Sequence, residues 1–177
     1  YGSTSAHLSY NYAYLYDSDP KILEVAPIIE HNFTFKLDKS EKPKILILSL
    51  NNELLKTYIE VLESAAYKGP KGSRMVALED TVKITVKDNP KDAVVEGKIL
   101  NKAIDDMNLA IYNKDFDGFF EKYPDSPISI LFLKVLSKYS SFGSPLYSLE
   151  KQKSSFAKLS DRLRNSDEGK ELSKKLQ

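Results

Sequence analysis

The chain of 177 residues contains no cysteine. This absence excludes a thiol nucleophile, a disulfide, a CxxC redox pair and a thiolate metal site within these residues. It leaves the cellular compartment open, because a chain of this length can bury a sizeable core without disulfides. Any thiol-based redox chemistry associated with this protein must be carried by residues outside this chain.

Histidine is almost as rare, with only His7 and His31 in the sequence. A metal site needs several ligands, and the carboxylates nearest to His7 along the chain are those of Asp17 and Asp19. These two aspartates begin like a calcium loop, but the residues after them are not the oxygen ligand and glycine that such a loop requires. The pattern is typical of turn residues and helix caps, so the sequence predicts no metal and no cofactor.

The sequence also lacks a large excess of charge of one sign and a long apolar run. The net charge is +1, which gives no field that would attract nucleic acid or an anionic lipid surface. A membrane-spanning helix needs about 18–20 apolar residues. The longest run here, Ile128–Leu136, is interrupted by Ser129 and Lys134 and predicts a core helix. We therefore expect no nucleic-acid partner and no transmembrane segment.

The apolar period changes close to Gly97, and this change divides the chain. Before it, Val82, Ile84 and Val86 alternate with polar residues, as in a strand that is buried on one face. From Ile99 onward the apolar residues follow helical spacing. The sequence therefore predicts an α+β protein. An antiparallel β-sandwich or partly open barrel spans residues 1–97, and a helical segment, residues 98–177, packs against it.

The sequence predicts the secondary structure of several segments in the front half. Tyr1–Ala6 is small and polar and is expected to be a frayed lead-in, while Leu8–Asp17 is the first predicted strand. A hairpin is expected around Glu30–Asn32, where asparagine tolerates a positive φ. A helix is predicted near residues 52–66, capped by Asn51 or Asn52; the alternative for part of it is a strand over Thr57–Val61.

The back half is expected to be helical to its end. Asp115 and either Asp125 or Ser126 are the candidate caps of the second and third helices. The predicted helices are Lys98–Tyr112, Asp115–Tyr123, a third from Pro127 to Tyr139, Pro145–Arg164 and Asp167–Leu176.

Tyrosines at alternate positions are the most visible candidate for binding. Tyr10, Tyr12, Tyr14 and Tyr16, which we call the tyrosine row, would share one face of the first strand. An exposed aromatic row could stack against a glycan or a peptide. The simpler interpretation is that tyrosine favours strands and that these rings pack the sheet.

A catalytic constellation is not recognisable in the sequence. Its serines do not stand in a nucleophile-elbow or SxxK context, and neighbouring carboxylates such as Asp105 and Asp106 point in different directions on a helix. We therefore expect this chain not to be an enzyme.

Three segments resemble a known family. They are the hairpin Ala26–Lys36, similar to the pattern xVxxGxFxFxG; Leu78–Gly97, similar to LEPGxIxIxxD…xxVxGSxxN; and Phe119–Ser129, similar to FIxxNPxSxxS. The end of the chain, Leu159–Leu176, is similar to LSxxxxNSxxGKxLxxxL. In this order and spacing they resemble the uncharacterised N-terminal domain that precedes thioredoxin-like domains, of peroxiredoxin or thiol–disulfide interchange type, in envelope proteins of Gram-negative gut bacteria.

The resemblance implies a context rather than a reaction. The family's redox cysteines lie in the thioredoxin-like domain, so no catalytic residue is carried over to this chain. It implies a periplasmic or outer-membrane-anchored location, with a secretory or lipoprotein signal and a possible lipid anchor upstream of Tyr1. It also implies a thioredoxin-like domain as partner, in the same chain or another.

Three hypotheses follow from the sequence. The first is a non-catalytic accessory or interaction domain of the bacterial cell envelope, associated with a thioredoxin-like redox protein. The second is a stand-alone module that binds a glycan or a peptide through the tyrosine row. The third, an enzyme, requires a pocket with convergent polar groups and is the least supported.

Overall fold

A computed structural model of the protein describes residues 1–6, 8–17, 22–37, 44–64, 72–79, 81–141 and 147–177. The chain forms two compact units, Tyr1–Asn101 and Lys102–Gln177. The division falls four residues after Gly97, within the helix that begins at Ile99.

The described residues of the first unit form two four-stranded sheets, which do not close into a barrel. The strands are β1 Gly2–Thr4, β2 Tyr12–Tyr16, β3 Ile22–Pro27, β4 Asn32–Phe33, β5 Lys44–Asn51, β6 Ser73–Leu78, β7 Lys83–Val86 and β8 Val94–Glu96. The first sheet has the order β4-β1-β7-β8, and the second has the order β3-β2-β5-β6. The pairs are antiparallel except β1 with β7, which is parallel. Together with the helices these sheets confirm the predicted α+β class.

Alternation along the strands sends one set of apolar side chains into the space between the two sheets. Residues of both sheets join one buried cluster, which we call the sandwich core. Ala13 and Leu15 enter it from β2, and Leu46, Leu48 and Leu50 enter it from β5. From the other sheet and its connections come Phe33, Val82, Ile84, Val86, Ala93 and Val95.

The expectation of a frayed N-terminus was wrong, because residues 2–4 form the strand β1 between β4 and β7. Its partners lie far away in sequence, so local periodicity carries no sign of the pairing. Glycine is required at position 2, because a Cβ there would lie 2.2 Å from the ring of Phe33. The first predicted strand is also shorter than expected, since regular pairing begins only at Tyr12.

The predicted hairpin was wrong in its strand pairing: a turn forms, but β3 before it and β4 after it belong to different sheets and pair with β2 and β1. The left-handed residues of this turn are Glu30 and His31 rather than Asn32. Their φ values are 50° and 65°. Ile29 and Asn32 exchange two backbone hydrogen bonds of 2.9 Å across the turn. Two consecutive positive φ values are typical of the type I′ turn, which here closes an isolated bridge between Ile29 and Asn32.

The helices of the described residues are α1 Tyr58–Glu63, α2 Ile99–Asn113, α3 Phe116–Lys122, α4 Pro127–Ser141, α5 Leu149–Lys158, α6 Asp161–Arg164 and α7 Asp167–Lys175. The helix expected near 52–66 is thus only six residues long, and Thr57 caps it in a capping box with Glu60. Asn51 cannot cap it, because Asn51 ends β5 and pairs with Tyr12. Residues 65 and 66 lie outside the described ranges.

In the second unit, the helix expected over Pro145–Arg164 is divided into α5 and α6. Ser160 breaks it, because its hydroxyl caps α6 by accepting the N–H of Leu163 and its own N–H donates to the carbonyl of Pro124. Residues 145 and 146 of that prediction lie outside the described ranges. Phe119, Phe120 and Phe132 form the aromatic centre of this unit, with ring centroids 5.0–5.5 Å apart.

The first turn of α2 is fastened to β6, which is an edge strand of its sheet. The side-chain amide of Asn101 replaces a further strand there, because its Oδ1 accepts the N–H of Ala77 at 2.9 Å and its Nδ2 donates to the carbonyl of Ala77 at 2.7 Å. The carboxylate of Glu79 accepts the N–H groups of Leu100 at 3.0 Å and of Asn101 at 3.4 Å. It therefore satisfies two of the donors that a helix N-terminus leaves free.

Candidate functional site

The structure places the four tyrosines of the predicted row on different surfaces. Tyr12, Tyr14 and Tyr16 belong to β2 and lie on the face of the sheet opposite the sandwich core. Tyr10 precedes the strand and packs instead against the sandwich core. The strand alternation that defined the row therefore holds for three of its members, which we call the outer tyrosines.

Residues 52–64 cover the outer tyrosines, and we call this segment the strap. Leu55 and Val61 of the strap form a buried cluster with Tyr14 and Tyr16. Both tyrosine side chains have no exposed surface, whereas Tyr12 and Tyr10 are half-buried. In this state the outer face of the sheet presents no continuous aromatic platform to solvent.

The hydroxyl group of Tyr14 holds the strap through two hydrogen bonds. It donates to the carbonyl of Glu53 at 2.7 Å and accepts the N–H of Leu55 at 2.8 Å. Burial raises the pKa of this hydroxyl above its ordinary value, and the hydrogen bond from Leu55 opposes that rise. The group is therefore a neutral donor and acceptor at physiological pH, which is the form that both bonds require.

The structure does not test the predicted ligand role of the tyrosine row (Tyr10, Tyr12, Tyr14 and Tyr16), which stays a prediction. A glycan or peptide would meet only parts of Tyr10 and Tyr12 in this state, and these two rings pack against different clusters. Contact with Tyr14 or Tyr16 would require the strap to move.

The second unit carries a cluster of ionisable groups around Asp106. Its Oδ2 accepts hydrogen bonds from the ammonium of Lys122 at 2.5 Å and from the hydroxyl of Tyr123 at 2.6 Å. The bond from Lys122, followed by that from Tyr123, lowers the pKa of the Asp106 carboxyl. Burial and the bond to Asp106 raise the pKa of Tyr123. The cluster joins α2 to the end of α3, and its two donors already occupy the same carboxylate oxygen.

Metal-binding side chains do not converge in the described ranges. No group of three histidine or acidic side chains there could surround a metal ion. His31 lies in the exposed turn between β3 and β4, and His7 lies outside the described residues.

A groove of about 540 Å³ lies among α5, α6 and α7. Arg164, Lys170 and Lys174 line it together with Asp161, whose carboxylate is bonded to Arg164. All four charged side chains are exposed or half-exposed, and Phe156 is its half-buried aromatic residue. The groove has the character of an open, weakly cationic surface.

The C-terminal end of α2 presents large apolar side chains to solvent. Leu109 is 56% exposed, Ile111 is 45% exposed and Tyr112 is 84% exposed. Leu109 and Tyr112 are three residues apart and share one side of the helix, and Ile111 lies about 100° around it from Tyr112. We call these three residues the apolar end of α2.

The spacing of apolar residues along α2 contains a signal for the apolar end of α2. The buried side of α2 is accounted for by Leu100, Ala103, Ile104, Met107 and Ala110. Leu109 and Tyr112 fall outside that spacing, so a helix with this period has to expose them. Ile111 follows the spacing, four residues after Met107, but is still 45% exposed. Apolar residues that lie outside the buried side of a helix predict an exposed apolar surface.

No family model, curated protein or solved structure matches this chain. Among the described residues, none of the helices combines the length and the apolar character needed to cross a bilayer.

Proposed function

We propose that this chain is a non-catalytic interaction domain of the bacterial cell envelope, associated with a thioredoxin-like redox protein. Its role is to bind a thioredoxin-like domain, and the redox cysteines belong to that partner. The cell-envelope location and the identity of the partner come from the resemblance of its sequence segments to the family described above.

The residues that carry the resemblance support a non-catalytic role, because the structure uses them to shape the backbone. At the junction of α3 and α4 the hydroxyl of Ser129 donates to the carbonyl of Tyr123 at 2.5 Å. In α7, Gly169 is required because a Cβ there would lie 2.1 Å from the carbonyl oxygen of Leu163. Residues that hold turns and helix junctions serve a scaffold, which agrees with a role that needs no active site in this chain.

The observation that carries the interaction role is the apolar end of α2. Tyrosine is enriched in protein interfaces, since it combines a large apolar ring with a hydroxyl that can find a partner at the rim. Tyr112 is 84% exposed, and Leu109 beside it exposes more than half of its surface. The formal net charge of +1 adds little long-range repulsion or attraction, so contact area would dominate the affinity.

A binding assay with matched variants tests this proposal. The purified chain is titrated, by isothermal calorimetry, with each thioredoxin-like envelope domain encoded in the same genome. Leu109→Ser is compared with Leu149→Ser, which removes a leucine of similar exposure, 46%, from the first turn of α5. We expect one domain to bind, Leu109→Ser to weaken binding about tenfold (about 1.4 kcal/mol), and Leu149→Ser to leave it within about twofold.

Two results would contradict the proposal. If the chain binds none of these domains, the proposed partner is wrong. If the two serine variants weaken binding equally, the apolar end of α2 is not the binding surface. Fractionation of cells that express the natural gene provides an independent check, because recovery of the protein from the cytosol rather than from the envelope contradicts the proposed location. Reading the natural gene on both sides of the segment Tyr1–Gln177 shows directly whether the partner is encoded in the same chain.

A further inference from the structure

The sheet β3-β2-β5-β6 separates two apolar clusters of very different size. On its inner side lies the sandwich core, to which both sheets contribute. On its outer side, the strap buries Leu55 and Val61 against Tyr14 and Tyr16. None of the strap side chains that the structure describes belongs to the sandwich core, so departure of these side chains would leave the contacts among the described residues of that core in place.

The strap is attached to the sheet by side chains and not by a ladder of backbone hydrogen bonds. At its start, the Asn11 side-chain amide donates to the carbonyl of Asn52 at 2.9 Å. The Tyr14 hydroxyl then binds the carbonyl of Glu53 and the N–H of Leu55. Beyond Leu55, the hydrogen bonds of the described strap residues stay within the strap.

Internal contacts make the strap a single unit. The Thr57 hydroxyl accepts the N–H of Glu60, and the Glu60 carboxylate accepts the N–H groups of Lys56 and Thr57. A helix of six residues is too short to persist without tertiary packing. Detachment of Leu55 and Val61 from the sheet would therefore also release α1.

We propose that the strap opens as a separate cooperative unit, with the Tyr14 hydroxyl as its latch, and that opening uncovers the outer tyrosines. A local opening that exposes few buried side chains requires less free energy than global unfolding. The open state presents Tyr12, Tyr14 and Tyr16 side by side on one strand, with the Tyr14 hydroxyl free to donate and accept. This device does not depend on the proposed interaction role, which involves the other unit.

Hydrogen exchange of the full chain tests the latch. Tyr14→Phe removes one hydroxyl and both of its hydrogen bonds, and we expect the amides of Leu55, Val61 and Ser64 to exchange about ten- to hundredfold faster. The amides of the β2–β5 ladder should keep their wild-type rates. Tyr147→Phe is the matched control, because Tyr147 is also buried and its hydroxyl is also hydrogen-bonded, to Ser155 in the second unit. Unchanged strap exchange in Tyr14→Phe would overturn the role of Tyr14.

A pair of leucine variants tests whether the strap is a separate unit. Leu55→Ala removes a strap contact and Leu50→Ala removes the same side chain from the sandwich core. We expect Leu55→Ala to speed exchange of the strap at least tenfold without affecting the ladder, and Leu50→Ala to speed exchange of both. If Leu55→Ala reduces protection of the ladder as much as that of the strap, the proposal is refuted.

Tyrosine nitration by tetranitromethane, located by mass spectrometry, reports the uncovering itself. In the wild-type chain Tyr112 should react readily and Tyr14 slowly, because they are 84% and 0% exposed. In Leu55→Ala, Tyr14 and Tyr16 should react at least tenfold faster, while Tyr147 keeps its wild-type rate. Equal protection of Tyr14 in both proteins would show that opening does not uncover the tyrosines.

Discussion

Replacement of Asn101 by alanine should destabilise the first unit strongly, although Asn101 lies in no candidate site. The side chain is only 1% exposed, and its amide forms the pair of hydrogen bonds that a neighbouring strand would offer to Ala77. Alanine keeps the helical backbone and favours it, so the substitution isolates the amide. It leaves the N–H and the carbonyl of Ala77 without these partners in a residue that has no exposed surface.

The cost follows from those two orphaned groups. A buried backbone donor or acceptor that loses its partner costs about 1–3 kcal/mol. Two such groups give about 2–6 kcal/mol. The higher helix propensity of alanine offsets about 0.5 kcal/mol of this loss. Water that enters the vacated space lowers the loss further. We therefore expect the free energy of unfolding to fall by about 3 kcal/mol, a large share of the roughly 5–15 kcal/mol that stabilises a typical domain.

Urea denaturation, followed by far-ultraviolet circular dichroism and tyrosine fluorescence, measures this change. With a slope of about 2 kcal/mol per molar urea, a loss of 3 kcal/mol lowers the midpoint by about 1.5 M. Amide exchange of β6 and of the first turn of α2 assigns the loss to the first unit, in case the two units unfold separately.

Asn108→Ala is the matched control, because Asn108 is an exposed asparagine of the same helix. It should leave the midpoint unchanged or raise it slightly. If Asn101→Ala costs less than about 1 kcal/mol, or no more than the control, then the amide does not stabilise the edge of β6 and the reasoning is wrong.

Three further changes test other parts of the fold. Gly169→Ala should destabilise the second unit by about 2 kcal/mol in urea denaturation, because the new Cβ meets the backbone carbonyl of Leu163 at 2.1 Å. His31→Gly should stabilise the first unit by about 1 kcal/mol, measured by the thermal midpoint, because glycine adopts the φ of 65° without strain. Asp106→Asn should reduce the acid sensitivity of the second unit by about 1 kcal/mol, compared by urea denaturation at pH 5 and pH 2.5. The pKa of Asp106 is lowered in the folded state, so its stabilising contribution is present above the ordinary aspartate pKa and is lost as pH falls through the folded value.

Each change has a comparison that gives the opposite or a smaller effect. At Gly118 a new Cβ would meet only the movable carboxylate of Asp115, so Gly118→Ala should cost less than Gly169→Ala. His31→Val should destabilise, because a β-branched residue is poorly suited to positive φ. Asp105→Asn, at an exposed neighbour of Asp106, should leave most of the acid sensitivity in place. A reversal of order in any pair contradicts the cause given for it.

Sequence periodicity predicted the parts of the fold that rest on local pattern. The structure contains the change of period near Gly97 and the capping role of Asp115. It also contains the strand with Ile84 and Val86, and Val82 is buried just before that strand begins. These features depend on contacts between residues that are close along the chain, or on alternation between one buried and one exposed face. Local pattern is sufficient for both.

Only the tertiary structure decided the rest, because it depends on partners far apart in sequence. Residues 2–4 became a strand because β4 and β7 flank them, and the tyrosine row was divided because Tyr10 and Tyr14 pack against different clusters. Alternation placed Tyr14 on the outer face, but it could not show that the strap covers that face, since the cover follows β5 some forty residues later. Composition and period determine which side chains must be buried; the three-dimensional arrangement determines what buries them.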